Sequence, residues 1–528
     1  MANYKIENLS FSYNQCEEKA LDGIDLEIND GDFVVIAGKS GCGKSTLLRL
    51  MKHLIAPAGK RDGKILYDGI DVNETSQEKL VGEIAFVFQN VDNQIITDTV
   101  EREMMFTPMC MGMDEKQAFV KVAESAAYFG IDNYFDSKTD TLSGGRKQIL
   151  NLASAMVMQA KVLILDEPLS QLDPIAKAEF ISHIERLNKE NGVTVIMSEH
   201  SFDDVYRLAD KICIMESGKV KIFSKTQDAA KQLLEMSMTD FLPQSAVFSS
   251  KLNCGDLAFT VRDAKRQLQN KKVKVKRPAQ EPINTEDAVT CKNLTFAYEK
   301  GKYIIKCLNT SFKKGKTTCI VGSNASGKTT LLRLIAKEIK QQNGKIKCSA
   351  RTCLLSQNAY YSFLHDELGK DIEETLKRFN LNKDDFDNII KEYPFFEPIK
   401  KLWKQNPLDL SGGEAAKAAM LKTILTGAEI LLLDEPTKGL DNNAKKEFLE
   451  IIKSLNNKGI TVIIVTHDMD FCSKCADECK MMFRGQFVSE GQVYDFMNKN
   501  MFYTTPVCSI TSELQIPALS VDEIEVEQ

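Results

Sequence analysis

Short, unbroken apolar runs punctuate this chain, each ending on a glycine-rich, acidic or polar segment. They are FVVIA (Phe33 to Ala37), VLILD (ending at Asp166), TVIMSEH (ending at His200), TCIV (Thr318 to Val321), ILLLD (ending at Asp434) and TVIIVTH (ending at His467). Runs of three to five apolar residues bounded by such signals predict short strands. The first and fourth runs lead through glycine-rich loops into STLLRLM and TTLLRLI, whose pattern predicts helices. The order strand, loop, helix therefore occurs twice.

The repeat has a measurable register. Gln89, Ser143 and Glu167 recur 268 residues later as Gln357, Ser411 and Glu435, His200 recurs 267 later as His467, and Lys44 recurs 284 later as Lys328. The excess of about sixteen residues lies around Lys60 to Glu83 of the first copy, and is expected to be a surface loop insertion. The expected layout is a first domain at 1–235, a helical segment and basic linker at 236–286, a second domain at 287–500, and a flexible acidic tail at 501–528. The linker sequence NKKVKVKRPAQEPINTED carries Lys271, Lys272, Lys274, Lys276 and Arg277 with two prolines, and reads as a solvated tether or a patch for anionic lipid headgroups.

Size and composition agree with this layout. At 528 residues the chain exceeds one ordinary core, and 43% hydrophobic with 27% charged residues describes a globular protein. No apolar stretch is long enough to span a bilayer, and the start MANYKIENLS lacks a secretory leader pattern. A net charge of -6 supplies no overall attraction for nucleic acid. Fourteen scattered cysteines suggest reduced thiols, and Cys472, Cys475 and Cys479 are expected on one helical face, buried and not metal-bound.

The loops carry the chemistry. GKSGCGKST comprises Gly38, Lys39, Ser40, Gly41, Cys42, Gly43, Lys44, Ser45 and Thr46, and GSNASGKTT comprises Gly322, Ser323, Asn324, Ala325, Ser326, Gly327, Lys328, Thr329 and Thr330. Both fit G-x-x-x-x-G-K-[S/T], in which backbone N–H groups and a helix N-terminus cradle phosphates while the lysine reaches the β and γ phosphates. Ser45 and Thr329, with Asp166 and Asp434, are placed to ligate Mg²⁺. Glu167 and Glu435 are candidates to polarise an attacking water, and His200 and His467 to hold that geometry. Ala325 stands where the first loop has Gly41, adding a Cβ to a loop that wants positive φ, so the second site is expected to be the weaker. Cys42 lies beside a helix N-terminus, an environment that lowers thiol pKa, and is read either as a small residue that the loop tolerates or as a reactive thiol.

LSGGR and LSGGE, with Ser143, Gly144, Gly145 and Ser411, Gly412, Gly413, open helix-like segments and form a second kind of anion cradle. Each copy already has its phosphate loop, so this cradle is read as serving the nucleotide of the other copy. Asn382 to Asp385 fits a guanine-reading N-K-x-D string, but no strand precedes it.

The ordered set of loop, glutamine, LSGG, acidic strand end and histidine resembles the ATP-binding cassette (ABC) ATPases over nearly all of both copies. The resemblance implies an α/β fold with two P-loop ABC nucleotide-binding domains in tandem. Each would have a mainly parallel core sheet, an antiparallel β subdomain and a helical subdomain, and the pair would form an internal pseudo-dimer hydrolysing ATP with Mg²⁺. It further implies that Gln89 and Gln357 reach the metal and the γ-phosphate, that Tyr13 and Tyr298 stack on adenine, and that Asp173 and Asp441, in the loops SQLD and KGLD, line the nucleotide.

VFQNVDNQ, DEPLSQLDP, SEHSFDDVYRLAD and TVRDAKRQL look like the fused two-cassette ATPases of energy-coupling factor (ECF) transporters. That likeness implies a peripheral protein on the cytoplasmic face of the cell membrane, partnered by a membrane scaffold subunit and a membrane subunit that captures a vitamin or transition-metal ion. Fused sugar-importer ATPases and soluble translation-type ABC proteins are the alternatives.

Overall fold

The computed structural model describes residues 3–14, 18–170, 172–200, 202–269, 271–277, 285–438 and 440–527. The linker prolines Pro278 and Pro282, and the loop residues Gln171 and Gly439, lie outside them. The chain divides into two compact units, Met1–Asn270 and Lys271–Gln528.

In the first unit ten strands build two sheets. These are β1 (Tyr4–Tyr13), β2 (Leu21–Ile28), β3 (Phe33–Gly38), β4 (Gly59–Tyr67), β5 (Ile70–Asp71), β6 (Ile84–Val87), β7 (Val162–Asp166), β8 (Thr194–Ser198), β9 (Lys211–Glu216) and β10 (Lys219–Lys225). Strands β2-β1-β4-β5 form an antiparallel sheet, and β10-β9-β3-β8-β7-β6 form a second sheet that is parallel except for the β9-β10 edge. Alternation along the central strands explains the unbroken apolar runs. Phe33, Val35, Ala37, Leu163 and Leu165 face a core shared with the helices, while Val34, Ile36, Val162 and Ile164 face a core shared with the antiparallel sheet.

The second unit repeats the plan with β12 (Asp287–Ala297), β13 (Tyr303–Lys313), β14 (Thr317–Val321), β15 (Asn343–Cys348), β16 (Thr352–Leu355), β17 (Ile430–Asp434), β18 (Thr461–Val465), β19 (Glu478–Phe483) and β20 (Gln486–Gln492). Its antiparallel sheet is β13-β12-β15, and its main sheet is β16-β17-β18-β14-β19-β20, with the same odd-even division of core residues. The additional residues of the first copy are not a surface loop as expected: they supply β5 and the helix Gln77–Glu83, whose Leu80 is buried.

Two expectations about the connecting and terminal segments are corrected. Residues 501–527 are not a flexible tail: the helix Pro506–Thr511 buries Val507, Cys508 and Ile510, and Ala518, Leu519 and Ile524 are also buried. Nor is the whole basic linker a free tether, because β11 (Val273–Val275) pairs antiparallel with β21 (Ile524–Val526). Alternating apolar and charged residues on both segments allow a two-stranded ribbon with one apolar face, on which Ile524 is buried, and Lys276 meets Glu525 on the other side. The helices Gln244–Lys251 and Val261–Leu268 belong to the first unit, with Ala246 and Leu257 in its core.

The cysteine expectation holds for the burial of Cys472 and Cys479, whereas Cys475 is partly exposed, and the geometry differs. Cys472 and Cys475 sit on the helix Met469–Cys475, whereas Cys479 lies on β19 in register with Cys319 of β14, because the helix ends before Cys479 is reached. Among the described residues no group of three or more His, Cys, Asp or Glu side chains is arranged to hold a metal ion. Asn382 and Asp385 form a capping box at the helix Lys383–Glu392, which accounts for that string without any nucleotide.

Candidate functional site

Each glycine loop joins the end of a central strand to a helix, Lys44–Met51 after β3 and Lys328–Ile335 after β14. Gly43 and Gly327 have φ of 102° and 109°, and a Cβ on Gly43 would lie 2.6 Å from the Ala20 carbonyl oxygen, so glycine is required where the loop turns into the helix. Lys44 Nζ donates to the carbonyls of Gly38 (3.0 Å) and Lys39 (3.3 Å), and Lys328 Nζ to those of Gly322 (2.8 Å) and Ser323 (2.9 Å). Both ammonium groups are thus folded back across the mouth of the loop. Gly41 and Ala325 occupy the same left-handed position, with φ of 76° and 60°. The expectation of a strained Cβ in the second loop follows through, although the first loop leaves open space at that point.

Cys42 follows the reading of a small residue tolerated by the loop, not that of a reactive thiol. It is buried, and desolvation raises its thiol pKa despite the opposing Lys44 charge and nearby amides. Burial outweighs the helix end, so the side chain is a packing group and not an activated thiolate.

Beside the first loop, Ser45 Oγ donates to Asp166 Oδ1 (2.9 Å), and Ser198 Oγ donates to the same oxygen (2.8 Å). The backbone N–H of Glu167 donates to Ser198 Oγ at 3.0 Å, and Glu167 lies in a left-handed turn with φ of 47°, as Glu435 does with φ of 50°. The Glu167 carboxylate meets three groups: Gln89 Nε2 donates to Oε2 (2.7 Å), His200 Nε2 lies 2.6 Å from Oε1, and Lys44 Nζ is 3.9 Å away. Burial pushes the Glu167 pKa up, but the His200 hydrogen bond with the His200 and Lys44 charges outweighs it, leaving the pKa below the ordinary value.

The second site brings the same residues together more loosely. His467 Nε2 is 3.4 Å from Glu435 Oε1, and Gln357 is exposed. Burial, then the charge of Asp434, lifts the Glu435 pKa to about 7 against Lys328 and Lys438. Val465 stands in the register of Ser198, and the buried Asp434 Oδ1 has no hydrogen-bond partner among the described residues. Burial raises the pKa of both Asp166 and Asp434. An orphaned carboxylate oxygen beside a threonine hydroxyl suits a hard divalent cation, so Thr329 with Asp434, and Ser45 with Asp166, fit Mg²⁺.

The remaining predicted residues are distributed as follows. The Tyr13 hydroxyl is 2.7 Å from Thr46 Oγ1 and that of Tyr298 is 3.5 Å from Thr330 Oγ1, which puts each partly exposed ring beside its loop helix. Ser143 and Ser411 cap the helices Gly144–Met156 and Gly412–Leu425, leaving Gly144, Gly145, Gly412 and Gly413 in the first turns. Glu414 closes a capping box on Ser411, whereas Arg146 stacks 4.6 Å from the Tyr134 ring. Asp173 and Asp441 are helix caps: Asp173 accepts from the amides of Ile175 and Ala176, and Asp441 from that of Ala444. Ser198 and Glu199 escaped sequence reasoning. Their only signal was that SEH departs from VTH at the matched positions of the two copies.

Twin phosphate loops, each backed by an acidic strand end and a histidine, define a tandem P-loop ATPase of the ABC fold. The chain belongs to the ABC transporter family, whose pattern matches residues 21–170 and 305–438, and like the ATP-binding members of that family it hydrolyses ATP. It is 35% identical, over 96% of its own length and 95% of the relative's, to a provisionally named ABC transporter ATP-binding protein of Bacillus thuringiensis subsp. konkukian (strain 97-27). It is 29% identical to another such protein of Methanosarcina mazei, over 92% of this chain and 88% of that one. Among solved structures, the archaeal ribosome recycling factor aABCE1, crystallised with stalk protein aP1, matches with a TM-score of 0.63 at 22% identity, covering 93% of this chain and 91% of that one. That likeness is one of fold. Among the described residues no helix is long and apolar enough to cross a membrane.

Proposed function

We propose that the chain is the energy-coupling ATPase of an ECF-type importer for a vitamin or a transition-metal ion, with two ATP sites of unequal strength. The observation that carries the hydrolytic part is the convergence of Gln89 and His200 on Glu167, beside Lys44. Glu167 is ionised and held at two points, as a base that orients water requires, and Glu435 is its counterpart. Mg²⁺, held by Ser45 and Asp166 or Thr329 and Asp434 with Gln89 or Gln357, would neutralise phosphate charge. The LSGG segment of each cassette completes the nucleotide site of the other, and Tyr13 and Tyr298 stack on adenine.

Import rests on the resemblance of the VFQNVDNQ, DEPLSQLDP and SEHSFDDVYRLAD strings, together with exposed apolar side chains downstream of Gln89. Ile96, Phe106, Met109, Phe119 and Val120 are 41–68% exposed along the helices Val100–Cys110 and Glu115–Phe129 and their approach. Exposed apolar side chains on these two helices support docking of a membrane scaffold subunit at the cytoplasmic face. The test is affinity capture of the intact chain from detergent-solubilised cells. Recovery of an integral membrane scaffold with a small membrane capture subunit is expected; recovery of ribosomes without membrane subunits would overturn the importer reading.

A further inference from the structure

One buried carboxyl group has no part in the reading above. Glu199, between the last residue of β8 and His200, is 3% exposed. Its N–H donates to the Ile36 carbonyl on β3 (3.2 Å), which anchors the side chain's origin to the strand that leads into the phosphate loop. Oε1 accepts from the Leu169 N–H at 2.9 Å, and Oε2 accepts from the His200 N–H at 3.3 Å. Leu169 lies two residues beyond Glu167, in the turn whose left-handed φ aims the Glu167 carboxylate at His200. One side chain therefore spans the peptide that follows the base and the peptide that carries the histidine. A buried amide deprived of its acceptor is costly, so the two segments are not free to drift apart.

The second cassette makes its connection differently. Thr437 and Thr466 stand at the positions of Leu169 and Glu199, and the Thr466 hydroxyl accepts from the Asp468 N–H (3.0 Å). There the tie lies on the far side of the histidine, where Lys445 donates to Asp468 at 2.6 Å.

We infer that Glu199 is a positioning residue of the first cassette, whose carboxyl group fixes the separation of the Glu167 turn from His200 and so the geometry in which the base meets water. The inference rests on the proposed role of Glu167. Burial lifts the Glu199 pKa to about 8; the Leu169 amide, Lys177 and the His200 amide oppose that rise, and the Glu167 charge adds to it. Near neutral pH the group is thus largely uncharged; a glutamine keeps a carbonyl oxygen for the Leu169 N–H but turns an NH2 group at the His200 N–H, so it preserves one of the two ties.

The test is steady-state ATP hydrolysis by the intact chain at pH 7. Glu199→Gln, which keeps the tie to Leu169 and loses the one to the His200 N–H, is expected to lower kcat only about threefold. Glu199→Thr, which installs the second cassette's residue, and Glu199→Asp, whose carboxyl group falls short of Leu169, are each expected to lower kcat about tenfold with the KM for ATP nearly unchanged, because displacement of a reacting group acts on the chemical step. Should the threonine variant not fold, the aspartate variant carries the comparison. Unchanged kcat in the aspartate variant, a parallel rise in KM, or a glutamine variant as impaired as the others would overturn the inference. Glu167→Gln run alongside separates the two ideas: its full loss with normal Glu199→Asp turnover overturns the positioning role alone, and its full activity overturns the base assignment itself.

Discussion

In the first cassette Ser198 donates to Asp166, receives the Glu167 N–H, and leaves Glu167 gripped by Gln89 and His200; in the second, Val465 replaces that serine, Asp434 keeps an orphan oxygen, and His467 is 3.4 Å from Glu435. The main sheets beneath the two sites have the same strand order. Apart from Ala325 for Gly41 within the phosphate loop, the difference lies in side chains one step behind the motif, which set how firmly the motif is held. A shared sequence signature does not make two sites equivalent, because partner residues outside it tune charge and freedom.

The sharpest way to break this comparison is to remove the two bases in turn. Glu167→Gln is expected to lower ATP turnover about 100-fold, the scale of general-base loss, and Glu435→Gln less than tenfold. Equal losses in a phosphate-release assay would abolish the ranking of the sites. Next in size, Ile524→Ala should destabilise the second unit by about 2 kcal/mol, since its fully buried side chain belongs to a terminal strand, and leave the first unit unchanged. Hydrogen exchange resolved by segment would read this, and protection lost in both units would contradict it.

Ala325→Gly should relieve about 1 kcal/mol of left-handed strain and tighten nucleotide binding at the second site about fivefold, with Gly41→Ala doing the reverse at the first. Titration with a fluorescent ATP analogue distinguishes the two. The smallest effect concerns Glu199, whose folded pKa of about 8 lies above its unfolded value. The native state holds this proton more tightly, so its stabilisation is complete in acid and is lost as pH rises through about 8. The Glu199→Gln variant should then gain about 1 kcal/mol on the parent between pH 7 and pH 9 in denaturant titrations. A constant difference across that range would mean that Glu199 is not buried as described.

Much of this was legible in the sequence because the phosphate loops, acidic strand ends and histidines depend on local order: an apolar run, a turn, a helix start. The repeat offsets located both cassettes for the same reason. What escaped depended on contacts between distant segments. Nothing in VKV or IEV announces that β11 and β21 pair, and the acidic composition near the end argued for solvation although Val521 and Ile524 within it are buried. Cys42 showed the same limit, since its helix-end position was visible and its desolvation was not. Ser198 and Glu199 act through side-chain reach across the sheet, which spacing alone does not encode.

The ribbon of β11 and β21 also bears on how the molecule is made. Residues 273–275 leave the ribosome well before residues 524–526, and until then their edge lacks a mate. Any chain interrupted within the second cassette would keep that edge bare, available to proteases and to other strands. The ribbon thus forms only once the second cassette has been made.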